Sequence, residues 1–81
     1  MIELGATPIT VGRAPENTVV LDDDYVSGRH AEIVLSDPPR ITDLGSTNGT
    51  FMDGERVTSA ELYDGARIGI GALAMVFRFG G

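Results

Sequence analysis

Apolar and polar residues alternate over short stretches along most of the chain, which is the period of a β-strand with one buried face. The clearest stretch is residues 73–79, where alternate apolar side chains share one face: Leu73, Met75, Phe77 and Phe79. Residues 30–35 alternate in the same way, with Ala31, Ile33 and Leu35 on one face. Burying each large apolar side chain contributes roughly 1.5–3 kcal/mol. The face at 73–79 is therefore predicted to form a major part of the core.

The remaining chain divides into further short strands separated by turn residues. Strands are predicted at residues 9–11, 18–21, 40–44, 51–52, 56–57 and 67–70. Asp53-Gly54 is a hairpin signal, Asp64-Gly65 marks another turn, and Asp37-Pro38-Pro39 reverses the chain. Many short strands with no helical period predict an all-β fold, a β-sandwich of two antiparallel or mixed sheets or else a barrel. We expect one domain to occupy residues 1–81.

Length and composition narrow the function. The chain has 81 residues, 42% of them hydrophobic, and no cysteine, so disulfides and zinc–thiolate sites are excluded. No apolar run approaches the roughly 18 residues of a membrane span. The N-terminus, Met1-Ile2-Glu3-Leu4, shows no signal peptide. A cytoplasmic location is expected.

The net charge is −6, and all six basic residues are arginine. An acidic chain is a poor partner for nucleic acid or for an anionic membrane, so neither is expected. Any anion must be bound by a local cluster of arginines and backbone donors. The planar guanidinium group suits phosphate or carboxylate because it makes paired hydrogen bonds.

Three loops carry polar residues beyond what a turn requires. They contain Gly12-Arg13, Ser27-Gly28-Arg29-His30, and the stretch DLGSTNGTF at residues 43–51. Asn48-Gly49 would suffice for a hairpin, yet it is surrounded by further small and polar residues. Loops at one end of a sandwich converge. Together they would form a donor-rich pocket with no buried carboxylate, suited to a tetrahedral oxyanion.

The polar residues fit a catalytic site or a metal site less well than they fit an oxyanion pocket. Ser27 and His30 lie three residues apart, so on an extended chain they project to opposite faces and a direct hydrogen bond is awkward. The acidic run Asp22–Asp24 lacks the glycine and distal glutamate of a calcium loop. The glycines at 69–74 precede a strand rather than a helix, and there is no lysine for a P-loop. We expect no enzymatic activity, no metal and no cofactor.

The polar segments, taken together and in order, resemble the forkhead-associated (FHA) domain family. The matching segments are Val11-Gly12-Arg13, Ser27-Gly28-Arg29-His30-Ala31, residues 43–50 and Gly54. The resemblance covers about residues 9–79. It implies an eleven-strand-type β-sandwich, the FHA/SMAD-like fold, that binds phosphothreonine in a partner protein.

The resemblance also implies roles for single residues. Phosphate would be bound by Arg13, Ser27, Arg29 and Thr47. The peptide backbone would be held at Asn48 and Gly28. Loop geometry would be supported by Gly12, His30 and Gly49.

The sequence departs from the family pattern at two places. Gly28 replaces a longer polar side chain that often helps to hold the peptide, which predicts weaker or looser selectivity. The strand that normally precedes residues 9–12 could come only from Met1 to Leu4, so we expect it to be short or missing. That would expose a sheet edge able to pair with another copy of the chain.

Two functions follow from the sequence. The first is a non-catalytic module that binds phosphothreonine-containing proteins or peptides in Ser/Thr kinase signalling. The second is a phosphate-independent assembly domain that uses a sheet face or an exposed edge strand.

Overall fold

The computed structural model describes residues 8–78, which form nine strands and their connecting turns and loops. The strands are β1 (Ile9–Gly12), β2 (Val19–Val20), β3 (Ala31–Val34), β4 (Arg40–Asp43), β5 (Thr50–Met52), β6 (Glu55–Val57), β7 (Ser59–Glu61), β8 (Ala66–Ile70) and β9 (Leu73–Phe77). Residues 8–78 contain no helix, and the predicted all-β class is confirmed. None of these residues therefore forms a helix that could cross a membrane.

The strands form two sheets. The first has the order β2-β1-β3-β4-β7 and is mixed, because β1 and β2 pair in parallel while its other pairs are antiparallel. The second has the order β6-β5-β8-β9 and is antiparallel throughout. The predicted sandwich of antiparallel and mixed sheets is therefore confirmed.

The core lies between the sheets and is built from small and branched side chains. Its buried apolar residues are Val11, Val26, Ala31, Ile41, Leu62, Ala66, Ile68 and Ile70. Strands β1, β3 and β4 supply the first sheet's share, and β8 supplies the second sheet's share. Val26 and Leu62 come from connecting segments, so loop residues complete the core.

The predicted importance of the last strand was wrong in part. Leu73 is 39% exposed, Met75 and Phe77 are half-buried at the margin of the core, and Phe79 lies outside the described residues. The reason is the place of β9 in its sheet. Among the described residues it is an edge strand, and only β8 pairs with it. Alternation identified Met75 and Phe77 correctly as facing the core, but it could not show how much protein covers that face.

Other local predictions had mixed outcomes. The Asp53–Gly54 hairpin between β5 and β6 is confirmed, and both of its turn residues have positive φ, 52° and 89°. The strand expected at 18–21 shortens to β2, and β7 was not foreseen. Leu35, placed on the same face as Ala31, lies beyond the end of β3 and is exposed.

Strand register brings three loops to one end of the first sheet. Val11 near the end of β1 pairs with Ala31 at the start of β3, and Ala31 pairs with Asp43 at the end of β4. The segments that follow β1, precede β3 and follow β4 therefore leave the sheet side by side. The predicted first strand at Met1 to Leu4, with the sheet edge it would leave open, lies outside the described residues.

The core assignment predicts opposite outcomes for two neighbouring apolar residues. Ile70 is fully buried, whereas Leu73, its partner across the β8–β9 pair, is exposed. We expect Ile70→Ala to lower the free energy of unfolding by about 2–5 kcal/mol, because it removes buried contacts and leaves a cavity. Leu73→Ala should cost under about 1 kcal/mol. Urea unfolding of both variants measures the difference, and equal losses would contradict the assignment.

Candidate functional site

The three converging loops enclose an open cleft of about 650 Å³. Residues from all three loops line it: Arg13, Ala14, Asp24, Tyr25, Val26, Ser27, Gly28, Thr47 and Asn48. Only two of these side chains, those of Arg13 and Asp24, are charged at neutral pH. The cleft is therefore mostly uncharged and rich in hydrogen-bonding groups.

The structure brings most of the sequence-predicted site residues together. Five of the nine line the cleft: Arg13, Ser27, Gly28, Thr47 and Asn48. Three others lie buried behind it: Gly12, His30 and Gly49. Arg29 is exposed and is not among the lining residues, so its phosphate-binding role stays a prediction.

Direct hydrogen bonds join the three loops at Ser27. The backbone N–H of Arg13 donates to the Ser27 carbonyl at 2.9 Å. The backbone N–H of Thr47 donates to Ser27 Oγ at 3.1 Å. Because Oγ accepts in this bond, the hydroxyl proton of Ser27 can be donated to another group. Ser27 therefore joins the loops of Arg13 and Thr47, and all three residues line the cleft.

The second link between loops is made by Asn48. Its side-chain Nδ2 donates to the backbone carbonyl of Tyr25 at 2.9 Å. The amide has a further donor hydrogen and a carbonyl oxygen, so this bond uses only part of its capacity. Asn48 therefore closes the cleft on one side and keeps polar groups for a ligand.

Arg13 also contacts an acid that the sequence did not associate with the site. Its Nη2 lies 3.2 Å from Asp24 Oδ1, and the two side chains are 50% and 90% exposed. Asp24 belongs to the acidic run that lacks the pattern of a calcium loop. No group of three or more His, Asp or Glu residues within 8–78 is arranged to hold a metal ion.

Gly12 is required by a close approach of two loops. A Cβ at this position would collide with the carbonyl oxygen of Gly28 and lie 2.7 Å from Nδ2 of Asn17. That amide donates to the carbonyls of Gly28 at 2.6 Å and Ala14 at 2.8 Å, and Asn17 is buried. The sequence pattern alone assigned no role to Asn17. An asparagine in a short loop is also a source of two donors.

His30 joins the second loop to the third. The ring is fully buried, its Nδ1 accepts from the backbone N–H of Ser27 at 3.1 Å, and its Nε2 lies 2.8 Å from the Gly49 carbonyl oxygen. A carbonyl can only accept, so Nε2 carries the proton. Gly49 itself has φ +93°, a conformation that side chains rarely adopt. The bond between Ser27 and His30 is thus made by the Ser27 backbone N–H. This agrees with the expectation that a direct bond from the Ser27 hydroxyl to the ring would be awkward.

Asp43 organises the stretch DLGSTNGTF and was missed by the sequence analysis. Its carboxylate accepts from the hydroxyls of Ser46 at 2.5 Å and Thr50 at 2.7 Å. It also accepts from the backbone N–H groups of Gly45 and Ser46, both at 3.0 Å. Ser46 Oγ in turn accepts from the backbone N–H of Gly49 at 2.9 Å. Much of the polarity of this loop is thus used internally, which leaves Thr47 and Asn48 for the cleft.

These bonds determine the ionisation of Asp43. Partial burial alone would raise the pKa of its carboxyl group. The hydrogen bonds from the Ser46 and Thr50 hydroxyls and from the two backbone N–H groups favour the charged form, and the net effect is a lowered pKa.

Comparison with known protein families gives one domain match. The family model of the FHA domain matches residues 9–71. FhaB, an FHA domain-containing protein of Mycolicibacterium smegmatis, is 43% identical over 83 aligned positions, which cover 95% of this chain and 51% of FhaB. The glycogen accumulation regulator GarA of Mycobacterium tuberculosis is 42% identical over 72, covering 88% of this chain and 44% of GarA. The chain thus spans about half the length of these relatives.

A solved structure shows the same fold with a ligand. Mycobacterium tuberculosis EmbR, in complex with a low-affinity phosphopeptide, superposes with a TM-score of 0.86 at 36% sequence identity. The superposition covers 93% of this chain and 20% of the EmbR chain.

The close approach at Gly12 predicts that alanine has opposite effects on stability at Gly12 and at Gly28. Gly12→Ala should lower the free energy of unfolding by about 1–3 kcal/mol, because its Cβ meets a backbone carbonyl. At Gly28 the atom nearest to an added Cβ is the Cβ of Ala14, at 3.9 Å. Gly28→Ala should raise stability by about 0.4–1 kcal/mol through the unfolded chain. Thermal unfolding of both variants checks this; a neutral Gly12→Ala would show that the approach is not tight.

The lowered pKa of Asp43 predicts an acid-sensitive contribution to stability. A depressed carboxyl pKa stabilises the fold above the ordinary value, 3.8, and this contribution is lost as the pH falls through the lower folded value. Asp43→Asn should therefore lose about 1–3 kcal/mol at pH 7 and show a flatter loss below pH 4. Urea unfolding from pH 7 to pH 2 measures both, with the exposed Asp22→Asn as the charge-matched control. If the free energy of unfolding fell equally steeply below pH 4 in the wild type and in Asp43→Asn, the assignment would be contradicted.

Proposed function

The chain belongs to the FHA domain family, and we propose that it is a non-catalytic module that binds phosphothreonine-containing proteins or peptides in Ser/Thr kinase signalling. The observation that carries this proposal is the grouping of Arg13, Ser27 and Thr47 on one cleft, where the Thr47 backbone N–H donates to Ser27 Oγ at 3.1 Å. Hydrogen-bonding residues that line one cleft are suited to the oxygens of a single phosphate.

Each of the three residues has a distinct proposed role. The guanidinium of Arg13 supplies paired, charge-assisted donors, and it is half exposed in the cleft wall. The hydroxyls of Ser27 and Thr47 supply further donors from the neighbouring loops. Arg29, exposed beside Gly28, would add a second cation from the rim.

The peptide backbone would lie across Asn48 and Gly28. The Asn48 amide keeps a donor and an acceptor after its bond to Tyr25, which matches the paired needs of an extended main chain. Gly28 offers an open surface, since only one atom lies within 4 Å of the Cβ position. Buried Gly12, His30 and Gly49 would hold the loops in place.

The cleft also favours threonine over serine as the phosphorylated residue. Ala14 and the buried Val26 give the lining an apolar part beside the polar groups. A threonine methyl packed there contributes about 0.8 kcal/mol, which corresponds to roughly fourfold in affinity.

A hydrolytic function on Ser27 and His30 is not supported by their contacts. His30 is the single histidine of the chain, and both ring nitrogens are engaged with backbone groups of Ser27 and Gly49. A general base must reach the proton that it removes. The module is therefore proposed to act by binding alone, and its cytoplasmic location stays a prediction.

The expected affinity follows from the charge of the ligand. A phosphothreonine carries about −1.5 to −2 charges at pH 7. Hydrogen bonds to charged groups contribute roughly 1.5–3 kcal/mol each, so three or four give on the order of 5–12 before association costs. A micromolar Kd, about −8 kcal/mol, lies within this range.

Arg13→Ala should weaken phosphothreonine-peptide binding by roughly 10- to 150-fold, because it removes charge-assisted bonds worth about 1.5–3 kcal/mol. Calorimetric titration of phosphothreonine, phosphoserine and unmodified forms of one peptide measures this. The phosphoserine form should bind roughly fourfold more weakly, and the unmodified form should show no measurable binding.

Arg67→Ala is the matched control. Arg67 is an exposed arginine whose carbonyl accepts from Asp53, at the hairpin on the far end of β5 from the cleft. The Arg67→Ala variant should bind the phosphothreonine peptide with the affinity of the wild type. If phosphorylation makes no difference to the wild type, the proposal is wrong and phosphate-independent assembly becomes the better account.

A further inference from the structure

Arg13 is already paired inside the cleft. Its Nη2 contacts Asp24 Oδ1 at 3.2 Å, and both residues line the same space. The residue proposed to bind phosphate is thus paired with an anion of the same chain. A phosphate that approaches Arg13 meets a competing carboxylate first.

The charges of the lining residues show what that competition requires. Arg13 contributes +1 and Asp24 contributes −1, and the other seven lining residues carry no charge, so the wall sums to zero. A phosphothreonine adds about −1.5 to −2. The occupied cleft would then hold two anionic groups around the Arg13 guanidinium, and like charges a few ångströms apart repel. Even with the one positive charge that Arg29 would add from the rim, the sum stays negative.

A cation supplied by the peptide resolves the imbalance. The Asp24 side chain is 90% exposed, so it can turn away from Arg13 without breaking buried contacts. Once displaced it remains at the rim, where an arginine or lysine near the phosphothreonine can pair with it. Tyr25, the next lining residue, is 63% exposed, and its aromatic ring suits the apolar stem and the cation of such a side chain.

We propose that Asp24 competes with phosphate for Arg13 and, when displaced, selects phosphothreonine peptides that carry an arginine or lysine close to the phosphorylated residue. This inference rests on the proposed function of the cleft. It assigns Asp24 as a specificity-determining residue and defines the partner as a phosphothreonine segment with adjacent basic character.

The test uses phosphothreonine peptides in which arginine is moved one position at a time through the three residues on each side. Each has a matched peptide with citrulline, a neutral isostere, at the same position. At one or more positions the wild type should bind the arginine form about two- to fivefold more tightly, the range expected of an exposed ion pair. In Asp24→Asn that ratio should fall to about one. The same variant should bind the citrulline peptides more tightly than the wild type does, because Arg13 no longer has an internal partner.

Asp22→Asn is the matched control, since Asp22 is exposed, changes the net charge equally and does not line the cleft. It should keep the wild-type ratio at every position. An unchanged arginine preference in Asp24→Asn, or no preference in the wild type, would overturn the inference while phosphate-dependent binding still supports the proposed function. Equal binding of an unphosphorylated arginine peptide would instead refute the proposed function itself.

Discussion

The geometry of the cleft depends on one buried imidazole. His30 lies fully inside the protein and spans from the backbone N–H of Ser27 to the carbonyl of Gly49. A buried backbone group without a partner costs free energy comparable to a lost hydrogen bond. The ring therefore fixes the distance between two loops, since His30 and Gly49 lie nineteen positions apart in the sequence. Ser27 and Thr47 can meet across the cleft because these supports hold their loops.

Polar residues near the cleft divide into those that build it and those that face a ligand. The Asp43 carboxylate accepts from the Ser46 and Thr50 hydroxyls, and Asn17 Nδ2 donates to the carbonyls of Ala14 and Gly28. Arg13, Ser27, Thr47 and Asn48 line the open space. Fixed donors suit phosphate because they need little rearrangement on binding, which lowers the entropic cost. An anion within the chain, Asp24, pairs with Arg13 at the same cleft.

The sequence predicted the fold class and most of the site for identifiable reasons. Strand alternation and the Asp53–Gly54 turn are local signals, and they indicated an all-β sandwich or barrel. The convergence of three loops followed from a spaced set of polar segments, whereas the roles of single residues in them came from the family resemblance and stay predictions. Long-range packing carries no such local signal: alternation could not show that Leu73 lies at a margin or that Val26 and Leu62 complete the core. The roles of Asn17 and Asp43 and the pairing of Arg13 with Asp24 also depend on contacts made only after folding.

The central claim is that three loops bind one phosphate group through Arg13, Ser27 and Thr47. A crystal structure of the domain with a phosphothreonine peptide tests it most directly. The account predicts phosphate oxygens within hydrogen-bonding distance of the Arg13 guanidinium and of Ser27 and Thr47, with Asp24 turned away from Arg13. A phosphate bound elsewhere on the sandwich, or a peptide seated with these three side chains unengaged, would contradict it.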